Sequence, residues 1–487
     1  MLTMKTSDRG EMENNNKAYD LYVDLDGTLI KTDILYESVL LLVKMNFIYL
    51  FILPFWLLKG KGNLKYRVSS LVDINPQTLP YNKTFLIFLK EQHQLGRKLI
   101  LATATTEKYA QSIADYLGVF TQVIASTADQ NISGKTKLSR IQSQVKEFTY
   151  AGNAVVDMVI FSGAKESIIV NPTSSLKKQL PDIDNVSQVF DKEDKFGLSA
   201  FKAIRMYQWV KNILIFVPLF MSQQFYNIDA VINVIIAFFS FSFLASATYI
   251  VNDLIDIPND REHIRKRNRP LASGALSIPA AIGLTIILFG CSFVIALNVN
   301  LAFVYGLVFY LALTLLYSFK LKSYILIDTI SLSLLYTTRI FVGALVINIM
   351  PSVWLIAFSM FMFLSLALVK RCSELQMLEV ENKNRTPGRD YTVSDTYILA
   401  NMGITSGFLS ILVVALYLND VESMSQYKYP EVLWIICPLL LYWIGRMWIK
   451  TFRDEMHDDP IVFTIKDQGS LLCIISTLII IMTAILL

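Results

Sequence analysis

The sequence has few of the residues from which metal clusters and disulfide frameworks are built. Among 487 residues there are three histidines and four cysteines, and no cysteine belongs to a CxxC pair. The cysteines lie in or beside apolar runs, at spacings that exclude a zinc site and imply no disulfide framework. They are Cys291, Cys372, Cys437 and Cys473. The same counts exclude a histidine-rich metal centre.

Charged residues are also scarce, at 17% of the chain, against about 25% in ordinary soluble domains. The net charge of +4 is too weak to indicate a nucleic-acid partner. Hydrophobic residues make up 54%, and the mean hydropathy is +0.46. These values exclude a disordered protein and disfavour a purely soluble enzyme. The polar residues 1–18 lack the apolar stretch of a signal peptide, and we expect a disordered tail there.

The composition changes abruptly near residue 200, which predicts two domains. Residues 19–190 alternate short apolar runs with segments of helical length, the pattern of an α/β domain with a doubly wound parallel sheet. Residues 191–203 are interpreted as a linker. Residues 204–487 are predicted to form an all-α membrane domain, because apolar segments follow one another almost to the last residue.

About nine transmembrane helices are predicted in this second domain, most of them near the ~20 residues that a helix needs to cross a bilayer. The segments are about 209–225, 230–252, 277–297, 300–318, 325–347, 352–371, 395–418, 431–449 and 468–487. With the N-terminal domain in the cytosol, nearly all loop lysines and arginines fall on the cytosolic side, and Lys428 is the exception. The sequence therefore predicts a multi-pass protein of the cell (inner) membrane whose C-terminus faces outward.

An acidic pair, Asp24 and Asp26, follows the first apolar run in the stretch DLDGT (24–28). Acids at i and i+2 at a strand end point the same way, so both can address one ligand, and Gly27 allows close backbone approach. The stretch resembles the first motif of the haloacid dehalogenase (HAD) phosphatase superfamily. The resemblance implies that Asp24 is the nucleophile and Asp26 the general acid and base.

Later motifs occur in the order of that family. Thr103 matches the phosphate-binding hydroxyl, and Lys137, preferred over Lys135 on spacing, matches the lysine that follows. Asp157 matches a magnesium ligand, so the resemblance implies that Asp24, Asp26 and Asp157 hold the ion, whereas Asn153 stands where the family usually has a further acid. A HAD fold kept for structure or regulation is the alternative to a phosphatase.

The same resemblance implies a helical cap between Asp33 and Thr103. Its segment 34–58 is unusually apolar, enough to rest on a membrane.

A second acidic cluster ends the second apolar segment. Asp253, Asp256 and Asp260 are spaced i, i+3 and i+7, so on a helix they share one face. Pro258 would bend that helix around a cavity. Such carboxylates suit Mg²⁺, and the arginines that follow suit a polyphosphate. A solvated loop that obeys the positive-inside rule would explain the arginines but not three acids on one face.

This segment, NDLIDIPNDREHIRKRNRPLASG (252–274), resembles the first signature of the UbiA superfamily of intramembrane prenyltransferases. The resemblance covers the membrane half and implies a helical bundle with a central cavity open to lipid. It implies Mg²⁺-dependent catalysis by Asp253 and Asp256, with Asp260 as a further metal ligand. It also implies that four residues bind substrate, namely Asn252, Arg261, Arg265 and Arg269.

The second signature of that family departs from its usual pattern of two acids four residues apart. Asp328 is followed, four residues later, by Leu332. The further candidates for substrate binding are Lys211, Tyr317, Lys320, Lys322, Asp328, Arg339 and Lys370. The stretches 201–219 and 365–375 look most like the decaprenyl-phosphate phosphoribosyltransferase branch.

That branch implies transfer of phosphoribose from a phosphorylated sugar donor, phosphoribosyl pyrophosphate, to polyprenyl phosphate in the bilayer. The HAD domain would then remove the 5-phosphate from the product. One alternative is a prenyltransferase that attaches a polyprenyl chain, carried as its diphosphate, to an aromatic acceptor of a quinone or haem pathway; it gives the HAD domain no obvious substrate. A transporter with a regulatory HAD domain is another alternative, disfavoured because the acids lie at span ends and no internal repeat is found.

Overall fold

A computed structural model describes residues 19–128, 130–191, 196–263, 265–380, 382–386, 388–456 and 459–486. The predicted tail 1–18 lies outside the described residues, as do residues 192–195 of the predicted linker. The chain forms two compact units. The first contains the chain up to Ala200 together with Asp253–Ala281, and the second contains Phe201–Asn252 and Ile282–Leu487.

The first unit is built on a parallel sheet, as the sequence predicts, and the sheet has six strands. The strands are β1 Leu21–Val23, β2 Leu99–Thr106, β3 Gln122–Ser126, β4 Thr149–Gly152, β5 Glu166–Val170 and β6 Val186–Phe190. Their spatial order is β3-β2-β1-β4-β5-β6, and each neighbouring pair is parallel. β1 is central and fully buried, with Leu21 and Val23 in one apolar core and Tyr22 in the other. Such two-sided burial is why parallel strands are continuously apolar.

Eight α-helices lie in the segments that connect these strands. They are α1 Ile34–Met45, α2 Tyr49–Leu58, α3 Lys61–Leu71, α4 Lys83–Gln94, α5 Glu107–Leu117, α6 Lys135–Gln142, α7 Met158–Gly163 and α8 Ser174–Gln179. The first three lie between β1 and β2, where the sequence predicts a helical insertion. Asp33 caps α1 by accepting a hydrogen bond from the Leu35 N–H at 2.8 Å.

The helices of the rest of the chain begin with α9 Phe196–Ile204, α10 Val217–Met221, α11 Ile228–Ile255, α12 Ile257–Glu262, α13 Ile278–Leu297, α14 Leu301–Phe319 and α15 Ile327–Val346. They continue with α16 Val353–Val380, α17 Thr396–Leu418, α18 Val421–Met424, α19 Ile436–Phe452, α20 Pro460–Lys466 and α21 Gln468–Leu486. Within the described residues, eight helical segments are long and apolar enough to cross a membrane. This fits a multi-pass membrane protein.

The prediction of nine long membrane α-helices fails at the first segment, 209–225, which is not one continuous α-helix. There the chain forms a 3₁₀ helix, Met206–Phe216, followed by the short α10. Pro218 cannot donate a backbone hydrogen bond, and Gly343 of α15 brings its backbone close to the carbonyl of Ile215. The tighter 3₁₀ geometry replaces the α-helix that hydropathy alone predicts.

The second unit is centred on α15, the most buried of the eight long helices. Small residues let the helices approach closely: a side chain on Gly343 would collide with Ile215, and one on Gly403 with the ring of Trp448. Close backbone approach at small residues is the usual packing of membrane helices.

Candidate active sites

The first candidate site lies where β1, β2 and β4 end at their carboxyl edge, the edge at which open α/β sheets bind ligands. Asp24 and Asp26 follow β1, and Asn153 follows β4. The Asp24 N–H donates to the carbonyl of Ala151 on β4 at 2.9 Å, which continues the sheet to the first acid. Sequence spacing and sheet topology therefore bring these loops together.

A buried chain of hydrogen bonds connects Asp24 with two predicted residues. The Lys137 Nζ lies 2.7 Å from Asp24 Oδ1 and 3.0 Å from the hydroxyl of Tyr150. That hydroxyl donates to Asp157 Oδ1 at 2.9 Å. Lys135 is exposed instead. No role was predicted for Tyr150, because a tyrosine inside a buried strand such as β4 looks like an ordinary core residue.

Asp26 is oriented by two donors. Its Oδ1 accepts from the Ile34 N–H at 2.9 Å, and its Oδ2 accepts from the Thr105 hydroxyl at 2.5 Å. Thr103 accepts from the Thr105 N–H at 3.0 Å, so the threonine that contacts an aspartate directly is Thr105. These bonds hold Asp26 in one orientation beside Asp24, as a general acid requires.

The site is rich in buried charge. Burial raises the pKa of Asp24 to about 7, against the opposing effect of Lys137. Burial, followed by the nearby Asp33, raises the pKa of Asp26 to about 7. Lys65 of α3 donates to the carbonyl of Ala104 at 2.7 Å, and burial lowers its pKa. The arrangement favours a bound cation or a transferable proton.

Asp157 faces its own turn in this structure. Its Oδ2 accepts from the N–H groups of Asn153 at 3.3 Å and Ala154 at 3.1 Å. Asn153 packs instead against the loop of the first acids, because a Cβ on Gly27 would lie 2.1 Å from Asn153 Nδ2. Across the described ranges, no group of three or more His, Cys, Asp or Glu side chains is arranged to hold a metal. As placed, Asp157 is therefore bonded to its own turn, and Asp24 is bonded to Lys137.

The second candidate site is the aspartate-rich loop that closes the first unit. The predicted bend is a break between two helices, because α11 ends at Ile255 and α12 begins at Ile257, with Asp256 outside helical geometry between them. Arg269 Nη1 lies 3.0 Å from Asp253 Oδ1 and 2.6 Å from Asp260 Oδ2. Both acids are buried. Two carboxylates that converge on one cationic nitrogen fit a divalent cation in its place.

The other residues of this loop have different partners. Asp256 Oδ1 lies 3.6 Å from Lys44 Nζ at the end of α1. Arg261 Nη1 and Nη2 lie 2.9 and 2.7 Å from the carboxylate of Glu37, also on α1, and Arg261 Nε donates to the carbonyl of Ala272 at 2.9 Å. Arg265 is exposed. The predicted phosphate-binding Arg261 is therefore bound by a carboxylate 224 positions earlier.

We expect Glu37→Gln to destabilise the first unit by about 3 kcal/mol, because it leaves a buried arginine without its counter-charge. Both side chains of the pair are 7% exposed. The measurement is the melting temperature of the purified full-length protein. Glu147→Gln is the control, since Glu147 pairs with Lys165 at 3.5 Å on the surface, where such a pair contributes below about 1 kcal/mol. Equal melting temperatures for the two variants would contradict the expectation.

In the second unit, Asp328 is fully buried at the start of α15. It accepts from the Tyr317 hydroxyl at 2.9 Å and from Arg371 Nη2 at 3.1 Å. Arg371 also binds Glu374, which lies 3.2 Å from Arg389 Nη1. The predicted pair Tyr317 and Asp328 is thus held in a network of two acids and two arginines.

A second buried cluster of this unit surrounds Asp459. Its Oδ2 lies 2.6 Å from Lys211 Nζ and 3.5 Å from Lys370 Nζ, and the Tyr336 hydroxyl lies 3.4 Å away. The side chain of Asp459 is only 8% exposed. In the sequence it is one of four acids in the polar stretch 454–460, and no periodicity there distinguishes a buried acid from a solvated one.

Arg339 lies inside the second unit, as expected of a charge within a span. It donates to Asn212 Oδ1 at 3.0 Å and to the Tyr310 hydroxyl at 3.1 Å, and it stacks within 5.5 Å of the Tyr336 ring. Of the remaining candidates, Asn252 and Lys322 are half-buried and Lys320 is exposed.

Comparison with known proteins identifies the family. The UbiA prenyltransferase family model matches residues 213–465, just over half of the chain. An uncharacterized protein, y4nM of Sinorhizobium fredii, is 33% identical over 455 residues, which are 92% of this chain and 88% of that protein.

Two further similarities cover less of the chain. A decaprenyl-phosphate phosphoribosyltransferase of Corynebacterium glutamicum is 39% identical over 184 residues, 37% of this chain and 55% of that enzyme. A solved UbiA homolog from Archaeoglobus fulgidus, bound to GPP and Mg²⁺, has a TM-score of 0.42 and 15% identity, and the match covers 58% of this chain and 99% of that one. From the family model and the nearly full-length relative, the chain belongs to the UbiA prenyltransferase family.

Proposed function

We propose that the membrane domain transfers phosphoribose from phosphoribosyl pyrophosphate to a polyprenyl phosphate, and that the N-terminal domain is a HAD-type phosphatase acting on the product. The membrane half supplies a site for a diphosphate, and the N-terminal half supplies a nucleophilic aspartate. Phosphoribosyl transfer leaves a 5-phosphate on the lipid-linked sugar, so it provides the second site with a substrate.

An excess of positive charge on buried and half-buried side chains of the second unit carries this proposal. Lys211 and Lys370 share a single carboxylate, that of Asp459. Arg339 donates to an amide, a carbonyl and a phenol, and it faces aromatic rings. Buried cations without full compensation favour an anionic ligand. A lipid phosphate supplies such charge, whereas a neutral aromatic acceptor does not. The phosphoribosyltransferase from Corynebacterium is consistent with this substrate class.

In the transfer step, an oxygen of the lipid phosphate attacks the anomeric carbon of the ribose. The bond from that carbon to the diphosphate breaks, and the diphosphate leaves with the electron pair. Asp253, Asp256 and Asp260 would hold Mg²⁺, which would neutralise the leaving diphosphate. Arg269 is positioned to contact the same anion once its carboxylate partners bind the metal.

In the phosphatase step, Asp24 attacks the phosphorus of the 5-phosphate and the sugar oxygen leaves, taking a proton from Asp26. Water then attacks the aspartyl phosphate and releases inorganic phosphate, with Asp26 accepting the proton. Lys137 lies beside Asp24 and Lys65 near Asp26. The positive charges of these two lysines would neutralise the negative charge on the phosphoryl oxygens.

The test is to incubate purified full-length protein with Mg²⁺, labelled phosphoribosyl pyrophosphate and polyprenyl phosphate, and to analyse the lipid fraction. A lipid carrying labelled ribose, together with free phosphate, is the expected result. Label that stays in water, while a prenyl diphosphate and an aromatic acid react instead, would favour the aromatic prenyltransferase.

We further propose that the N-terminal domain is cytosolic and that Met206–Met221 crosses the inner membrane. Asp253–Ala281 belong to the same compact unit as the N-terminal domain, so both lie on one side. Since α11 crosses once, the chain must cross once more before it. Eleven 3₁₀ residues and five α-helical residues extend about 30 Å, the thickness of the hydrocarbon core.

With this extra crossing, Lys98→Cys and Lys320→Cys should be labelled from the cytosol and Lys428→Cys from outside. All three positions are exposed on their own units. The measurement is maleimide labelling of intact and permeabilised cells, in a variant without native cysteines. Opposite sidedness of positions 98 and 320 would contradict the extra crossing.

A further inference from the structure

The helix α2 of the first unit is an unusual element for a domain in water. Its sequence is YLFILPFWLL, and none of its ten residues is buried. Phe51 is 64%, Phe55 67% and Leu58 83% exposed. Surface helices of soluble domains have a polar face, which α2 lacks. An exposed apolar surface of this kind indicates a contact with another apolar phase.

The helix is too short to cross a bilayer. Ten residues extend about 15 Å, half of the hydrocarbon thickness. It is attached to its own domain through Tyr49, Leu53 and Trp56, which pack against a small core of α1 and α3 that includes Leu42 and Val68. The opposite side of α2, with Phe51, Phe55, Leu57 and Leu58, is exposed, so the helix is fixed in place with an apolar surface outward.

The position of α1 fixes where this surface lies. Glu37 and Lys44 of α1 pair with Arg261 and Asp256, just after the long apolar helix α11 ends at Ile255. Leu40 and Leu41 line one cavity together with Leu254, Ile257 and Pro258. The end of a membrane span marks the boundary between lipid and water. Since only three residues separate the end of α1 from the start of α2, α2 lies at that boundary.

The charge around α2 is of one sign. Between Glu37 and Asp73 the sequence contains no acid and five basic residues, namely Lys44, Lys59, Lys61, Lys65 and Arg67. Lys59 and Lys61 follow α2 directly and are exposed. Basic residues beside an apolar helix are attracted to the anionic head groups of the cytosolic leaflet.

We propose that α2 lies in the cytosolic surface of the bilayer, with Phe51, Phe55 and Leu58 among the acyl chains and Lys59 and Lys61 at anionic head groups. The partner is the lipid itself. The inference rests on the exposed apolar surface, the neighbouring span end and the local charge, and it is independent of the reaction that the protein catalyses.

The test uses the full-length protein in nanodiscs that contain phosphatidylglycerol, in a variant without native cysteines. A polarity-sensitive dye is attached at Phe55→Cys or at Ile87→Cys. Ile87 is the matched control, since it is a 59% exposed apolar residue on α4 of the same unit. Doxyl-labelled lipid should quench the dye at position 55 about twofold more than at position 87, and iodide should quench it less.

Three results separate the possibilities. Equal quenching of the two positions by iodide would overturn the proposal, because α2 would then lie in water. Protection from iodide without quenching by doxyl lipid would also overturn it, since the occupant would be a protein, such as a second copy of the chain. In the expected case, Lys59→Glu combined with Lys61→Glu lowers the lipid quenching at position 55.

Discussion

Asp253→Ala and Asp256→Ala are each expected to lower the rate of lipid transfer by about a hundredfold or more, since charge neutralisation at a leaving diphosphate contributes several kcal/mol. Asp253 is buried and converges with Asp260 on one cationic nitrogen. Asp256 follows at the break between α11 and α12. The measurement is incorporation of labelled ribose into the lipid fraction.

Controls separate chemistry from folding. Asp229→Ala alters an exposed acid at the opposite end of α11 and should leave the rate unchanged. The conservative Asp253→Asn keeps the side-chain shape but removes its charge, so its rate should be as low as that of Asp253→Ala. Melting temperatures close to that of the wild type would show that these proteins are folded. Full activity of either alanine variant would contradict the assignment of the transfer site.

Asp24→Asn should stop phosphate release while leaving lipid transfer intact. An amide is a poor nucleophile toward phosphorus, and loss of a catalytic nucleophile lowers turnover by about a thousandfold or more. The lipid product should then accumulate with its 5-phosphate attached. Mass spectrometry of the lipid fraction and a phosphate assay measure the two quantities in one reaction.

The matched control is Asp20→Asn, an acid at the other end of β1 whose side chain is 29% exposed. It should release phosphate as the wild type does. If wild type and Asp24→Asn both give the phosphorylated lipid, the N-terminal domain has no phosphatase role. If Asp24→Asn loses transfer, the two sites are not independent.

The sheet could be predicted because its central strands are buried on both faces and therefore continuously apolar. The edge strand β6 could not, since Val186–Phe190 is largely exposed and its sequence resembles a polar linker. For β6 an element was missed, whereas for the segment 209–225 an element was predicted that does not form. Its hydropathy predicts a membrane α-helix, but Pro218 and a close contact with Gly343 produce a 3₁₀ helix.

Each candidate site combines residues that a local motif reveals with residues that only the fold brings together. Asp24 and Asp26 lie two residues apart in one motif, so the sequence was sufficient to pair them. Lys65 and Asp459 reach their clusters only through the packing of distant helices. Such residues have no spacing relation to their partners, and a single sequence holds no signal for them.

The pair of Glu37 and Arg261 joins two segments of the first unit that are far apart in the sequence. During synthesis the N-terminal sheet emerges well before Arg261, and chains generally fold from the N-terminus as they are made. Glu37 therefore cannot pair with Arg261 until α11 has entered the membrane and residues 253–281 have been translated. A gene cut between the two sequence domains would yield an N-terminal fragment that cannot complete its own structure. The N-terminal domain can therefore complete its fold only after α11 has been inserted and the segment that follows it has been made.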